Sequence, residues 1–240
     1  SLLESRMNAA EVTVDVAIVG AGVGGLCAAI RLREMGVASL LVLERSAEVG
    51  GTWRDNVYPG CACDVPSHMY SFSFAPNREW TRPYSQQQEI QDYILRTTEA
   101  YGLRPLIRFN TTVQDLCWMD AAQCWKVSIA GQAALYARNV VLASGPLNKP
   151  AIPNLPGADQ FAGETFHSSE WRHDIDLRGK RIAVVGTGAS AVQFVPEIAP
   201  HAAHVDVFQR TAAWVLPRWD KPYGAFRRWI YRQVPGLQRL

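Results

Sequence analysis

The sequence contains no long apolar run and no block of like charges. A transmembrane helix needs about 20 consecutive apolar residues, and no run approaches that length, so we expect no membrane-spanning segment. The 24 Lys and Arg residues nearly balance the 22 Asp and Glu residues, and a net charge of +2 argues against a nucleic-acid partner. With 48% hydrophobic residues in a chain of 240, the class that remains is a globular protein of one large or two small domains.

Cysteine is scarce, and its pattern is not that of a disulfide framework. The five cysteines form an odd set, which favours a reducing compartment and predicts a cytoplasmic protein. Cys61 and Cys63, with His68 nearby, have part of the spacing of a metal site. No second ligand pair follows at the spacing of a zinc site, so we expect no bound metal.

A glycine-rich turn follows the first predicted strand. Glu11–Val19 ends in an apolar run that is typical of a buried parallel strand, and it leads into Gly20-Ala21-Gly22-Val23-Gly24-Gly25. This is the GxGxxG pattern of dinucleotide-binding folds. The apolar spacing predicts a helix over Gly24–Met35 that ends at Gly36. The turn therefore predicts a bound dinucleotide, with its pyrophosphate at the N-terminus of that helix.

Each glycine of the pattern has its own physical role. Gly20 permits the tight turn, Gly22 lets the backbone approach the pyrophosphate, and Gly25 allows the helix to pack closely on the strand. A second predicted strand, Ser39–Glu44, ends in a carboxylate 19 residues after Gly25. The acid that binds a ribose hydroxyl is expected at about 20 residues, so we expect Glu44 to bind the ribose.

A second glycine-rich turn lies in the last quarter of the chain. The apolar strand Arg181–Val185 runs into Gly186-Thr187-Gly188-Ala189-Ser190-Ala191, which fits GxGxxA. A predicted helix, Ala189–Ile198, and a predicted strand, Val205–Phe208, follow it. The residues expected to hold a second dinucleotide at this turn are Gly186, Gly188, Ser190 and Ala191.

The residues after that last strand predict a phosphorylated nicotinamide cofactor. Gln209-Arg210-Thr211 stands where NAD-binding folds carry an acid. A carboxylate would repel a 2′-phosphate, whereas a guanidinium pairs with it through two hydrogen bonds. We therefore predict NADP(H) in preference to NAD(H), with Arg210 and Thr211 as the phosphate contacts. The alternative is that Arg210 is an ordinary surface arginine.

Two longer patterns are more specific than either turn. The first, (A/G)GxWxxxx(F/Y)P(G/M)xxxD, is matched at Gly50, Gly51, Trp53, Tyr58, Pro59, Gly60 and Asp64. The second, FxGxxxHxxxW, is matched at Phe161, Gly163, His167 and Trp171. On these residues the chain resembles Baeyer–Villiger flavin monooxygenases, although the family often has Pro or Asp where Arg172 stands here. A surface linker with packed aromatics is the alternative for the second pattern.

The resemblance implies FAD at the first turn. In the family the tryptophan and aspartate of the first pattern lie beside the isoalloxazine ring, which implies flavin contacts for Trp53 and Asp64. Gly51 and Thr52, in the same segment, are assigned to the cofactor with them. The resemblance implies two further cofactor-binding residues on weaker grounds. Tyr70 corresponds to another aromatic residue beside the flavin, and the backbone of Val113 is expected to contact the adenine.

Two residues are predicted to take part in catalysis. In the family the aspartate at the position of Asp64 partners an active-site arginine that stabilises the oxygenated flavin. That arginine is expected beyond Leu240, so we expect this chain alone to be weakly active or inactive. His167 has two interpretations. It is either an orienting histidine bonded to backbone at a domain junction, or a residue that transmits nicotinamide binding to the flavin site.

The predicted fold class is α/β. We expect two Rossmann-like dinucleotide-binding domains of three layers with parallel central sheets. The first, residues 11–150, carries FAD and a small antiparallel sheet made of Ile107–Met119, Cys124–Ala130 and Leu135–Ala143. Residues 151–178 are a linker with the second signature. Residues 179–240 are an incomplete NADP-binding domain that ends in an aromatic and basic helical segment, whose packing partners are expected further along.

The implied reaction is an oxygen insertion that uses O2 and a small-molecule ketone. NADPH reduces FAD, the reduced flavin adds O2 to give a C4a-peroxyflavin, and the ketone becomes an ester or lactone. Two alternatives stay open: an N- or S-oxygenating flavin monooxygenase, and an inactive nucleotide-binding fragment. Flavin disulfide reductases are disfavoured, because Trp53 stands where they carry a redox cysteine.

Overall fold

A computed structural model describes residues 13–212, 214 and 216–234. The predicted start of the first strand at residues 11 and 12, and the end of the predicted tail at residues 235–240, lie outside the described residues. The chain divides into two compact units, one of residues 13–54 with 92–148 and the other of residues 55–91 with 149–234. Residues 55–91, which fall inside the predicted FAD-binding domain of residues 11–150, thus group with the second unit.

A six-stranded sheet forms the first unit. Its strands are β1 (Val14–Val19), β2 (Leu40–Leu43), β3 (Ile107–Arg108), β4 (Val113–Met119), β5 (Cys124–Ile129) and β6 (Leu135–Leu142). They lie in the order β3-β2-β1-β6-β5-β4. The strands β3, β2, β1 and β6 are parallel, as the turn-containing βαβ pattern predicts, and β6, β5 and β4 are antiparallel. The buried cluster at its centre consists of Ala17, Leu43, Val127, Ile129, Leu135 and Ala137.

The antiparallel strands continue the parallel sheet and do not form a separate one. Ala137 of β6 lies opposite Val14 of β1 on one side and opposite Trp125 of β5 on the other. The single strand predicted over Ile107–Met119 is wrong, because the structure has two strands there. The left-handed backbone of Asn110, with a φ of 50°, separates them, and asparagine is one of the few residues that tolerate this conformation.

Three helices precede the antiparallel strands: α1 (Val23–Glu34), α2 (Thr52–Asp55) and α3 (Gln87–Ala100). Helix α1 buries Leu26, Ala29 and Ile30 and contacts β1 and β2, as its apolar spacing predicts. It ends before Gly36, whose φ of 87° is a left-handed conformation that suits glycine. Helix α1 begins and ends one residue earlier than the predicted range Gly24–Met35.

The second unit contains a two-stranded parallel sheet, β7 (Arg181–Val185) with β8 (His204–Phe208), and helices α4 (Ala189–Ile198) and α5 (Ala225–Gln233). The predicted bounds of β7 and α4 are confirmed. Helix α4 joins the two strands and buries Ala191, Phe194 and Ile198. This is the βαβ unit that the second glycine turn predicts.

Two tyrosines of the tail, Tyr223 and Tyr231, are buried within the second unit, whereas its tryptophans and Phe226 are exposed, so the expectation that further packing partners lie beyond the tail stays a prediction. His68 stacks on the ring of Tyr223 at 5.5 Å and meets Tyr231 edge-on at 5.0 Å. His68 Nε2 lies 2.8 Å from the Tyr223 hydroxyl, and Arg227 lies over both tyrosine rings. Burial, with a smaller contribution from Arg227, lowers the pKa of His68. Tyr223 and Tyr231 therefore pack on the turn at Ser67–Met69.

In the part of the chain that the structure describes, no helix is both long and apolar enough to cross a bilayer. Among the same residues, no group of three or more His, Cys, Asp or Glu side chains has a geometry that would hold a metal ion.

Candidate functional site

The first glycine turn has contacts that only glycine can make. Gly20 has a φ of 103°, and a Cβ there would lie 2.6 Å from the carbonyl oxygen of Ala143. A Cβ on Gly25 would lie 1.9 Å from the carbonyl oxygen of Gly20. Both obstacles are backbone atoms, which cannot turn aside as a side chain would. The turn is therefore held tightly between the strand ends and the start of α1.

The paired glycines of the first signature pack on this turn. Gly50 donates its amide to the carbonyl of Ala21 at 3.0 Å. Gly51 has a φ of 55°, and a Cβ there would lie 3.2 Å from the Cα of Gly22. Trp53 follows on α2 and is buried. Two sequence patterns that we identified separately thus form one backbone surface in the first unit.

Glu44 anchors the same turn. Its carboxylate accepts hydrogen bonds from the amide of Ala21 at 2.7 Å, from the amide of Ser46 at 3.0 Å and from Arg54 Nη1 at 3.1 Å. Only 4% of the residue is exposed. The predicted ribose contact stays a prediction, and the carboxylate has a structural role beside it. Arg54 stands at an unconstrained position of the first signature, so the pattern itself does not identify it.

Two helix N-termini have open amide groups. Helix α1 begins after Gly22 and α4 begins after Gly188, and neither N-cap residue has a side chain with which to cap the helix. Their first turns, Val23-Gly24-Gly25 and Ala189-Ser190-Ala191, contain only apolar and small residues. Unsatisfied N–H groups and the positive end of the helix dipole make such termini suitable for phosphate groups. Both therefore fit a dinucleotide pyrophosphate.

The second turn is less enclosed than the first. Gly186 has a φ of 105°, and no described atom outside its neighbours lies within 4 Å of a Cβ built on Gly186 or on Gly188. Ala191 occupies the position equivalent to Gly25 and is buried, so a methyl group fits between helix and strand here. Arg210 and Thr211 follow β8 and are exposed.

Gln193 on α4 makes four hydrogen bonds to the first signature. Its Oε1 accepts from the Tyr58 hydroxyl at 3.1 Å and from the amide of Ala62 at 3.1 Å. Its Nε2 donates to the carbonyl of Ala62 at 2.9 Å and to Asp64 Oδ1 at 3.0 Å. No pattern in the sequence identifies Gln193 as a site residue. The available signal is a single amide within the otherwise apolar stretch Ala191-Val192-Gln193-Phe194-Val195.

The turn of this signature lies against the backbone of α4. Gly60 has a φ of 74°, and a Cβ there would lie 2.8 Å from the carbonyl oxygen of Gln193 and 2.9 Å from Glu197 Cγ. Tyr58, two residues earlier, is buried. Burial raises the pKa of its hydroxyl to about 12, against the opposing effect of a hydrogen bond from Ser190. The phenol is therefore neutral near pH 7 and donates to Gln193.

The second signature packs on the same helix. Trp171 contacts Phe166 at 5.3 Å and Phe194 of α4 at 5.2 Å between ring centroids, and Phe194 contacts Tyr58 at 6.1 Å. The ring of Phe161 covers Gly163, where a Cβ would lie 2.6 Å from ring atoms. Phe161, Gly163 and Trp171, three defined positions of this pattern, therefore make packing contacts in the second unit.

The ring of His167 is hydrogen-bonded to the backbone two residues further along the chain. Its Nδ1 accepts the amide of Ser169 at 3.1 Å and lies 2.8 Å from the Ser169 hydroxyl. Since an amide N–H can only donate, the neutral ring carries its proton on Nε2. A bond to backbone is what the first interpretation, the orienting histidine, requires, and both interpretations of His167 stay predictions.

The predicted site residues fall in both units. The first unit contains Gly20, Gly22, Gly25, Glu44, Gly51, Thr52, Trp53 and Val113. Val113 is on β4 and pairs with Ile129 of β5. In the second unit are Asp64, Tyr70, His167, Gly186, Gly188, Ser190, Ala191, Arg210 and Thr211. Asp64 is exposed apart from its contact with Gln193. The structure brings Asp64 against Gln193 of α4, the helix that also contains Ser190 and Ala191.

Known proteins resemble this chain along almost its whole length. Residues 13–227 match the model of a family described as flavin-binding monooxygenase-like. A Baeyer–Villiger monooxygenase of Streptomyces coelicolor is 49% identical over 95% of this chain, and one of Pseudomonas aeruginosa is 48% identical over 94% of it. The crystal structure of OTEMO in complex with FAD and NADP superposes with a TM-score of 0.84 at 33% identity over 92% of this chain.

The match covers less of the relatives than of this chain. The alignments span 44% of the Streptomyces protein, 43% of the Pseudomonas protein and 44% of the OTEMO chain. The resemblance predicted from the two signatures is confirmed by these comparisons. This chain belongs to the flavin-binding monooxygenase-like family, and its similarity within that family is to Baeyer–Villiger monooxygenases.

Proposed function

We propose that this chain binds FAD at the first glycine turn and NADP(H) at the second, as the cofactor-binding part of a Baeyer–Villiger monooxygenase. The reaction of the whole enzyme inserts one oxygen atom of O2 next to a ketone carbonyl and yields an ester or a lactone. The fit of both turns supports this assignment, because each joins a strand end to a helix that begins with uncapped amides. The bound cofactors of the OTEMO structure agree with it.

One observation supports the oxygenase class more than any other. Both Baeyer–Villiger signatures contact the helix that follows the second glycine turn. Tyr58 and Trp171, 113 residues apart in the sequence, lie at 6.1 and 5.2 Å from the ring of Phe194. Patterns matched by chance would have no reason to meet on one helix. Their meeting on α4 favours a function in which both segments respond to the same nucleotide.

The residues of the chain have separate tasks in this proposal. Amides of the two helix N-termini bind pyrophosphate, and Glu44 holds the first turn through the amide of Ala21. Asp64 presents an exposed carboxylate, steadied by Gln193, to a cation near the reacting groups. Bound FAD and NADPH supply the electron transfer and the oxygen chemistry, which side chains cannot provide. The protein positions them and excludes water.

The test is a measurement of cofactor binding and of product. After incubation with FAD and gel filtration, the chain is expected to retain a flavin absorbance band and to lose it on addition of NADPH. Because this chain alone is expected to be weakly active or inactive, little product should form from a ketone in air, and the product that does form should be an ester or lactone and not the oxide of a sulfide or amine. A chain that retains no flavin would contradict the proposal. An amine or sulfide oxide without ester would assign the chain to the N- or S-oxygenating class.

Arg210→Ala is expected to remove the preference for the phosphorylated nucleotide. Loss of a charged hydrogen-bonding pair with the 2′-phosphate should raise the Kd for NADP+ by about 10- to 100-fold. The Kd for NAD+, which has no such phosphate, should stay unchanged. Isothermal titration of both nucleotides measures this difference.

A matched control is Arg178→Ala, which removes an equally exposed arginine that pairs with Asp176. It should leave both constants as they are. Equal affinities of Arg210→Ala and the unaltered chain for NADP+ would show that Arg210 is an ordinary surface residue.

A further inference from the structure

Helix α4 carries the second glycine turn at one end and the first signature on its side. Ser190 lies in the first turn of the helix, and Gln193 lies three residues later, on the same face. Gln193 accepts a hydrogen bond from the Tyr58 hydroxyl at 3.1 Å, and Ser190 opposes the rise in the pKa of the same hydroxyl. The same short stretch of helix therefore contacts a predicted nucleotide and the segment that ends at Asp64.

The side-chain amide of Gln193 has all of its hydrogen-bond donors and acceptors paired. Its oxygen accepts two hydrogen bonds and its nitrogen donates two, which uses every donor of the group and both lone pairs. Two of these bonds pair with the amide and carbonyl of Ala62, in the manner of neighbouring strands. The remaining donor holds one oxygen of Asp64 at 3.0 Å. A shift of α4 must therefore move residues 58–64 or break these bonds.

The close contact at Gly60 prevents residues 58–64 and helix α4 from sliding past each other. A Cβ at Gly60 would lie 2.8 Å from the backbone carbonyl of Gln193, so the two backbones are in direct contact. Close packing of this kind transmits small displacements and does not absorb them. The segment and the helix form one body around Gln193.

We propose that Gln193 is a positioning residue that transmits nucleotide binding at the second glycine turn to Asp64. This inference rests on the proposed function, because it takes Asp64 as a cofactor-site residue and the turn as the NADP site. A pyrophosphate on the first-turn amides restrains the helix end where Ser190 lies. Through Tyr58 and Gln193 that restraint reaches Ala62 and Asp64, whose carboxylate would otherwise be free to rotate in solvent.

Amide hydrogen exchange tests the transmission directly. In the 240-residue chain, saturating NADP+ is expected to slow exchange at residues 186–191 and, on the order of 10-fold, at the amide of Ala62. In Gln193→Met, which has similar volume and no hydrogen bonds, the first effect should remain and the second should vanish. Val192→Ala, which alters the exposed neighbour on the same helix, is the control and should behave as the unaltered chain.

A double-mutant cycle on the Kd for NADP+ tests whether the effect passes through Asp64. Gln193→Met and Asp64→Ala are each expected to weaken binding by about 10-fold, and the double variant should be no weaker than either. Losses that multiply would overturn the inference, since two residues that act along one path lose the same binding energy only once. Gln193→Glu keeps the two accepted hydrogen bonds and sets its second oxygen against Asp64, so it breaks the same contact by repulsion between two carboxylates and serves as a second variant if the methionine variant is unstable. In Gln193→Glu the amide of Ala62 should still exchange more slowly when NADP+ is added, and the Kd for NADP+ should still be higher than in the unaltered chain.

The outcomes separate the inference from the function on which it rests. If NADP+ protects residues 186–191 and Ala62 responds equally in Gln193→Met and in the unaltered chain, the inference fails and the NADP site stands. If NADP+ protects no amide of residues 186–191 in the unaltered chain, the proposed function fails, and the inference fails with it.

Discussion

Gly25→Ala is expected to destabilise the first unit by about 3 kcal/mol and to abolish FAD binding. Its Cβ would lie 1.9 Å from the carbonyl oxygen of Gly20, so the helix must move away from the strand. The glycine turn would then lose the geometry that presents its amides to a phosphate. Urea denaturation measures the loss of stability, and a flavin titration measures the loss of binding.

Gly24→Ala, one residue earlier, is the matched control and should have the opposite sign. Apart from its own helix and its neighbours, no described atom lies within 4 Å of a Cβ at Gly24. Replacing glycine by alanine inside a helix stabilises it by roughly 0.5–1 kcal/mol. Gly24 also lies outside the three glycines of the pattern. Equal effects of the two substitutions would mean that close contact with Gly20 does not govern this turn.

Glu44→Ala is expected to lower the free energy of unfolding by about 3 kcal/mol. The substitution leaves the amide of Ala21, a fully buried residue, without its acceptor, and it removes the carboxylate that pairs with Arg54. A buried donor deprived of its partner loses its hydration without compensation. Thermal or urea denaturation followed by circular dichroism measures the change.

Glu34→Ala serves as the control for this substitution. Glu34 pairs with Arg31 on the surface of α1, where both side chains are nearly half exposed, and such pairs contribute roughly 0–1 kcal/mol. Its removal should hardly move the denaturation midpoint. If Glu44 served only to bind a ribose, Glu44→Ala would weaken flavin binding and leave the midpoint in place. That result would contradict the anchoring role.

Local sequence patterns predict the two glycine-rich turns well, because the physical requirement is itself local. Gly20 needs a left-handed φ and Gly25 needs to lack a side chain, and both demands are visible in the spacing of glycines. The strand Arg181–Val185 and the helix Ala189–Ile198 agree with their predicted bounds, since the apolar run and the turn delimit them. Patterns of this kind carry their own boundaries.

The role of Gln193 could not be predicted in this way. A glutamine on a helix is most often a solvated residue, and its partners at Tyr58 and Asp64 are about 130 residues away in the sequence. The grouping of residues 55–91 with the second unit has the same cause. Strand β6 pairs with both β1 and β5. This could not be predicted either, because the residues of one strand do not indicate which strands lie beside it. Each missed feature is a contact between distant parts of the chain.

The fit of Gly60 against the backbone of Gln193 has a consequence for recombination between relatives. A chimaera that joins residues 55–91 of one parent to residues 149–234 of another would divide two surfaces that match atom for atom. Crossovers that inherit both stretches from a single parent keep this match, even though they are not contiguous in the gene. The segments that must be inherited together are those that touch in the structure, even when they are far apart in the gene.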